Sequence, residues 1–428
     1  MRRGMKAIWP RGGLYYGWIL VLVLAVTELT SWGIQYYAIT VFLRPMEADL
    51  GWSRSQMTGA FSLALLISGV AGVPMGRWLD RHGPRLLMTF GSIGAALLIL
   101  AWASVTNLIA FYLIWAAIGV TMAATFYEPA FVTIANWFQR FRGRALTILT
   151  FGGGFASVIF IPLSDWLVRN HGWRTALVVL AIILAVVTIP AHALLLRRHP
   201  RDMGLEPDGA LPDATETTTG RARPERSVPM RVAIRGAAFW WLAGAFFLTM
   251  AANVAALIHL IPYLIDEGYD AGFAALAAGM IGALALPGRL IFTPLGGRIP
   301  RQIVTALIFG MQALALIVLL AVSSTAGVWL FVALFGAGFG AITPARAALI
   351  AEFYGPAEYG SISGVLALII TGARATGPLG ASLLYDWTGG YDAVLWVLIA
   401  LSVAATVAVL MAEPGERPFA ARLRFRSP

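Results

Sequence analysis

The chain has 428 residues, of which 59% are hydrophobic and only 12% charged, and its mean hydropathy is +0.77; a soluble protein of this composition would be covered in contiguous apolar surface. The net charge of +10 does not mark a nucleic-acid binder, because 30 of the 31 basic residues are Arg, they flank apolar runs, and no basic face is interleaved with aromatics. The absence of Cys excludes disulfides, thiol catalysis and zinc–thiolate sites.

Apolar runs of about 20 residues, each long enough to cross ~30 Å of hydrocarbon, recur along the chain and predict an all-α membrane protein with twelve transmembrane helices. We place them at residues 14–37, 57–78, 86–105, 108–135, 145–167, 173–196, 237–264, 273–297, 302–322, 327–351, 360–384 and 391–411 and number them spans 1 to 12. Arg2, Arg3, Lys6 and Arg11 precede a first run that exceeds a signal-peptide core and has no small-residue cleavage site after it, so it reads as an uncleaved span. Span 1 carries Glu28, Ser31 and Gln35 on one face, with Glu28 about 21 Å from the inner end. A carboxylate at that depth either takes up a proton, serves as a counter-charge to a buried cation, or is structural. Trp32, Tyr36, Tyr37, Trp52 and Trp115 suggest interface anchoring; among the aromatics, Tyr36 and, in span 4, Tyr127 are assigned to touch substrate.

Between spans 2 and 3 stands Gly76-Arg-Trp-Leu-Asp80-Arg81-His-Gly83-Pro-Arg85. This resembles the signature loop of the major facilitator superfamily, and the resemblance in layout covers essentially the whole chain. It implies two six-helix bundles and a conformational latch at Gly76, Asp80, Arg81, Gly83 and Arg85. The acid is expected at a helix amino terminus in the other half, and the arginines in ion pairs across the seam. The alternative is a turn that only follows the positive-inside bias. Tyr16-Gly17-Trp18, Phe42-Leu43-Arg-Pro45 and Gly51-Trp-Ser-Arg54 are similar to the monocarboxylate porter and oxalate/formate exchanger branch, which implies small organic carboxylates as substrates.

In span 4, Thr121, Thr125 and Glu128 share a face. Gly152-Gly153-Gly154 in span 5 lacks the strand, Lys and Ser/Thr of a phosphate-binding loop and reads as helix packing. Residues 197–235, with the polar tract Asp213-Ala-Thr-Glu-Thr-Thr-Thr-Gly220, are too polar to fold alone and read as a cytoplasmic linker between an amino-terminal bundle at 1–196 and a carboxy-terminal bundle at 236–428. Asn253, His259 and Tyr263 of span 7 are placed along the outer half of the pathway, with Asn253 assigned to substrate; the His also reads as a hydrogen-bonded packing residue.

Spans 8 to 11 hold three buried cations. Arg289, in Leu286-Pro287-Gly288-Arg289 of span 8, is expected to bind a carboxylate bidentately, or to pair with Glu28 or Glu128. Branch relatives place a substrate-binding Arg there, and resemble this chain again in a second basic residue on span 11, here Arg374. Two arginines facing one cavity suit a dicarboxylate, or a carboxylate with a second polar group; a structural ion pair is the competing reading for Arg374. Those relatives also set an acid one turn before the span 8 Arg, where this chain has Ala285, which leaves exchange or Glu28-based proton symport open. Arg346 of span 10 occupies roughly the place of Glu128 in the other half, and the two are expected to form a cytoplasmic gate, or else to pair locally, as Arg346 with Glu352, or to snorkel to the interface.

The halves echo one another, Pro162-Leu163 before His171-Gly172-Trp173-Arg174 matching Pro378-Leu379 before Gly389-Gly390-Tyr391-Asp392, and Pro74-Met-Gly76 matching Pro294-Leu-Gly296, although Pro300 replaces the second latch acid. With the amino end inside, 24 basic residues fall on inner segments and 4 on outer ones, so both termini are expected in the cytoplasm of a cell (inner) membrane protein. The expected function is secondary active transport of a small organic anion by alternating access, by proton symport or exchange, in a monomer without cofactor, metal or nucleic acid. A facilitator for a neutral or amphipathic compound such as a drug or siderophore, and a non-transporting membrane sensor, are the alternatives; no enzyme motif is present.

Overall fold

A computed structural model describes residues 15–209, 227–295 and 299–413, and contains no strand among them. Eleven helical runs are long and apolar enough to cross a bilayer, but Arg142–Leu195 has 54 residues, about 81 Å of helix against ~30 Å of hydrocarbon. Gly172 explains the excess. Its φ of +76° is open to glycine and resisted by other residues, so the chain reverses there and crosses twice. Twelve spans result, as the sequence predicts. Span 1 is Tyr16–Leu50, span 2 Gln56–His82, span 3 Pro84–Ala103, span 4 Leu108–Trp137, and spans 5 and 6 lie before and after Gly172. Spans 7 to 12 are Ala237–Asp266, Gly272–Phe292, Arg301–Ala321, Thr325–Tyr354, Tyr359–Thr388 and Tyr391–Met411. Phe90, Ile109, Leu113 and Val186 expose 66–73% of their surface, which is tolerable only where lipid covers them.

Two boundaries move for physical reasons. Span 1 continues past residue 37 through a π-helical turn, Gly33–Tyr37, and the helix Ile39–Leu50. Phe42 and Met46, expected outside, are buried there against Trp102, whose indole N–H donates to the Met46 sulfur at 3.3 Å. The segment read as a loop from Gly76 to Arg85 is helical as far as His82. A single glycine, Gly83 at φ +78°, makes the turn, and Pro84 opens span 3 at the position where its missing N–H costs nothing.

Three buried apolar clusters show how the halves meet. One is built from spans 1 to 6 alone, around Ile34, Trp102, Phe111 and Leu177; another from spans 7 to 12 alone, around Ala252, Ile281, Phe331 and Leu398. The third holds residues of both halves, among them Leu79, Phe131, Trp137, Phe246, Tyr354 and Tyr359. It lies toward the face that carries Arg77, Arg81, Arg85, Arg140 and Arg144, called here the basic face. The two halves therefore share one core at the basic face and keep separate cores at the other, an arrangement that closes one side of the seam.

Segment 197–235 joins the halves on the basic face. Its described ends are pinned by carboxylates: Asp208 accepts from the N–H groups of Gln139, Arg140 and Phe141 at 3.1, 2.7 and 3.1 Å, and Glu358 accepts from the N–H of Met230 at 2.7 Å. The 213–220 tract, the basic residues before Tyr15, the Pro294–Gly296 echo and the tail after residue 413 lie outside the described residues in whole or part.

Spans 2 and 11 close the seam backbone to backbone. A Cβ on Gly76 would lie 2.5 Å from the carbonyl carbon of Gly360, and one on Gly364 would lie 2.5 Å from the carbonyl oxygen of Gly72. Each helix thus presents a pair of glycines four residues apart, the spacing that lets membrane helices approach most closely. Replacing Gly76 by Val should hold the basic face apart. In this Cys-free chain, spin labels on single cysteines at His82 and Ala357, both exposed, should report a longer distance in Gly76→Val than in the parent; an unchanged distance would refute the close-packing account.

Candidate functional site

Three spans of the first half are irregular, and their interruptions sit together. Span 1 has the π-helical turn at Gly33–Tyr37, span 4 breaks at Phe126 (ψ −166°), and span 5 is interrupted at Phe155 after Gly152–Gly154. Non-helical backbone at membrane depth is stable only when buried in protein or facing a cavity. A cavity of about 310 Å³ lies here, lined by Trp32, Tyr36, Phe126, Tyr127 and Glu128 from the first half and by Phe246, Met250, Thr343, Arg346, Thr371 and Arg374 from the second.

Glu128 stands in the first turn of the helix Tyr127–Trp137, which restarts after the break, so the positive end of that helix favours its charge. One carboxylate oxygen is bridged by Arg346 of span 10 and the other accepts from the hydroxyl of Ser363 of span 11. The pair keeps only 12% and 21% of its side-chain surface exposed, so losing either partner strands a largely buried charge. Glu128 is the only acid lining the cavity among the described residues, and it is fully engaged.

Arg374 is different. It is accessible to the cavity, and no hydrogen bond or ion pair holds it among the described residues. The structural ion pair weighed for it is therefore not formed among the described residues.

Toward the basic face, Asp80 accepts from the N–H groups of Gly360 and Ser361, both at 2.8 Å. These are among the first N–H groups of span 11, which have no carbonyl of their own helix to bond. The carboxylate thus caps a helix of the other half, while Arg198 donates to the Asp80 carbonyl oxygen. The expected cross-seam ion pairs of the neighbouring arginines are not formed among the described residues. Arg85 donates to the Ala193 carbonyl in its own half at 2.6 Å, and Arg81 points to solvent without an ion pair among the described residues.

Arg289 corrects the expectation more sharply. It does not line the cavity and meets neither Glu28 nor Glu128. Its Nε donates to the Gly340 carbonyl of span 10 at 3.1 Å and its Nη1 to the Thr150 carbonyl of span 5. Packed against Gly154, it stitches spans 5, 8 and 10 across the second seam, because in this state its face of span 8 turns to span 5. Glu28 is fully buried and does not line the cavity either. One of its oxygens accepts the indole N–H of Trp32 one turn later at 3.0 Å, and the other has no partner. Asn253 is likewise buried away from the cavity, its amide atoms unpartnered. His259 lies 3.2 Å from the hydroxyls of Tyr391 and Ser382, and Tyr263 donates to the Leu319 carbonyl at 3.1 Å, both within the second half.

Of the cavity's aromatic wall, sequence reasoning named Tyr36 and Tyr127 and missed Trp32 and Phe126. Trp32, read as an interface anchor, stacks on Phe126 with centroids 4.2 Å apart and planes 19° from parallel, and packs against Tyr36 and Tyr127. The Glu28–Trp32 spacing of one helical turn was the available signal. Trp115, also read as an anchor, is fully buried in the core. Because an amide oxygen can accept the indole N–H as a carboxylate does, Glu28→Gln should leave the thermal midpoint of the purified protein unchanged or raised. Glu28→Leu should lower it by stranding the indole donor, at about 1–3 kcal/mol. A Glu28→Leu protein as stable as the parent would show that the Glu28–Trp32 hydrogen bond does not stabilise the fold.

Comparison with known proteins agrees with this geometry. The model of the Major Facilitator Superfamily matches residues 21–378. A monocarboxylate transporter 13 from Bos taurus is 26% identical over 409 residues, covering 93% of this chain and 89% of that protein. The oxalate:formate antiporter of Oxalobacter formigenes is 23% identical over 298 residues, 69% of this chain and 67% of its own length. Among solved structures, the transporter FucP in its outward conformation superposes with a TM-score of 0.73 at 14% identity, covering 94% of this chain and all of that one. Glycine-paired seams, irregular spans around one cavity and a family match over most of the length lead to one conclusion: this multi-pass membrane protein belongs to the Major Facilitator Superfamily and is a transporter, not an enzyme.

Proposed function

We propose that the protein is a secondary transporter of small organic anions, with Arg374 holding the carboxylate. The observation that carries this reading is an arginine facing a membrane-depth cavity with its guanidinium unclaimed by any acid among the described residues. A guanidinium at such depth is costly unless paired or hydrated, and a bidentate carboxylate matches its planar donors. The relatives named for monocarboxylate and for oxalate:formate transport support the same substrate class.

In this reading the basic face is cytoplasmic, in keeping with the distribution of Arg between the two sides, and the state described is closed on that side. Asp80 on the start of span 11 and the Glu128–Arg346–Ser363 cluster at the cavity floor act as latch and gate, and Arg289 secures the seam of spans 5 and 8. The hydroxyl of Tyr36, which has no hydrogen-bond partner among the described residues, is free to reach the bound anion, while Tyr127 lines the cavity with its hydroxyl packed against Gly153 of span 5. Anion binding neutralises Arg374; rocking the halves about the site must then break the Asp80 and Glu128 contacts together, since both bridge the same seam.

Counterflow of labelled mono- and dicarboxylates in proteoliposomes tests the proposal. The parent should exchange at least one of a broad panel, and Arg374→Gln should lower that exchange at least tenfold, in line with losing a charge-assisted bidentate contact. Glu128→Arg and Arg346→Glu should each abolish exchange, and the double exchange of charges should restore part of it. A parent protein that exchanges no carboxylate would defeat the reading.

A further inference from the structure

The two sides of the cavity differ in chemistry. Around Trp32 gather the rings of Tyr36, Phe126 and Tyr127, with centroids 5.1, 4.2 and 5.2 Å from its own. All four line the cavity and keep part of their surface open, whereas Trp102, Phe111, Trp115 and Phe131, which only pack, are 0–1% exposed. The indole N–H of Trp32 is already given to Glu28. What Trp32 offers to the cavity is therefore apolar ring surface and no donor.

Charge narrows the choice further. Arg374, Arg346 and Glu128 are the charged residues lining the cavity among the described residues, and they leave one net positive charge. In a low-dielectric site a single negative charge on the ligand balances this, and a second would go unpaired. A zwitterion fares worse, because its ammonium group meets no free acid: Glu128 already bridges Arg346 and accepts from Ser363. Volume points the same way. A space of about 310 Å³ is at the small end of small-molecule sites, ~300–1,000 Å³, yet formate or oxalate would fill little of it and leave the rings wet.

We infer that the substrate is an aromatic monocarboxylate, its ring against the Trp32–Phe126 wall and its carboxylate on Arg374. This rests on the organic-anion reading above, and narrows it to a class. Quadrupole-matched ring contacts add affinity beyond that of equal apolar area, so an aromatic acid should outcompete its saturated counterpart.

The experiment is competition in proteoliposomes against counterflow of labelled phenylacetate, using matched pairs: benzoate with cyclohexanecarboxylate, and phenylacetate with cyclohexylacetate. Oxalate, lactate and phenylalanine complete the panel. The aromatic member of each pair should compete roughly three- to tenfold better, and oxalate, lactate and phenylalanine should compete less well than either. Trp32→Leu and, from the other helix, Phe126→Leu should each bring the ratio within about twofold, while Arg374→Gln weakens both members alike. Equal competition within the pairs, a preference for oxalate, or exchange of lactate without phenylacetate overturns the aromatic assignment and leaves the organic-anion reading standing. Failure of every carboxylate to exchange overturns both.

Discussion

Glu128 has two carboxylate oxygens and two partners, Arg346 and Ser363, neither of them Arg374. Everything distinctive about the cavity depends on that allocation. A carboxylate shared between both arginines would leave each of them partly paired and neither guanidinium open to the cavity. Committed to one arginine across the seam, it closes the floor and leaves the second arginine open. The same contact ties spans 4, 10 and 11 together, so the electrostatics of the site and the closure of the basic face are one constraint.

The backbone makes this placement possible. In hydrocarbon every N–H and C=O must find a partner inside the protein, so departures from regular helix are confined to the interior. The break at Phe126 frees the start of the helix Tyr127–Trp137 for Glu128, as the start of span 11 is free for Asp80. In both places a helix beginning meets an acid of suitable reach, and in both the bond has a partner in the other half. Arg289 uses the complementary resource, carbonyl oxygens of Thr150 and Gly340 next to glycine-rich, close-packed helix. All three contacts cross the seam between the halves, which share one core at the basic face and keep separate cores at the other.

The halves are alike in path and unlike in chemistry. The arginines at depth, Arg289, Arg346 and Arg374, all belong to the second half, and the acids Glu28 and Glu128 to the first. Charge attraction between the halves then acts across the seam, as in the Glu128–Arg346 pair. The segment between the halves is fastened in a parallel way, by Asp208 to the turn after span 4 and by Glu358 of the turn after span 10 to Met230. Equivalent turns of the two halves therefore hold the two ends of one connection.

How much of this is legible in the sequence depends on the range of the interaction involved. Span number, the reversal at Gly172, the turn at Gly83 and the membrane setting follow from runs of apolar residues and from glycine and proline at particular places, because those effects act within a few residues along the chain. The meeting of Asp80 with span 11, and of Glu128 with Arg346, was approachable from depth along each helix and from the resemblance to a known signature. Rotation about the helix axis was not. Arg289 and Arg374 lie at similar depth, yet one turns to the carbonyls of span 5 and the other to the cavity; Glu28 turns to Trp32, and Asn253 into the bundle. Depth is counted residue by residue from a helix end, whereas which way a side chain faces is decided by how twelve helices pack at once. The sequence alone therefore determined the membrane fold and the inventory of buried charges, and only the tertiary structure decided which of those charges is left without a partner.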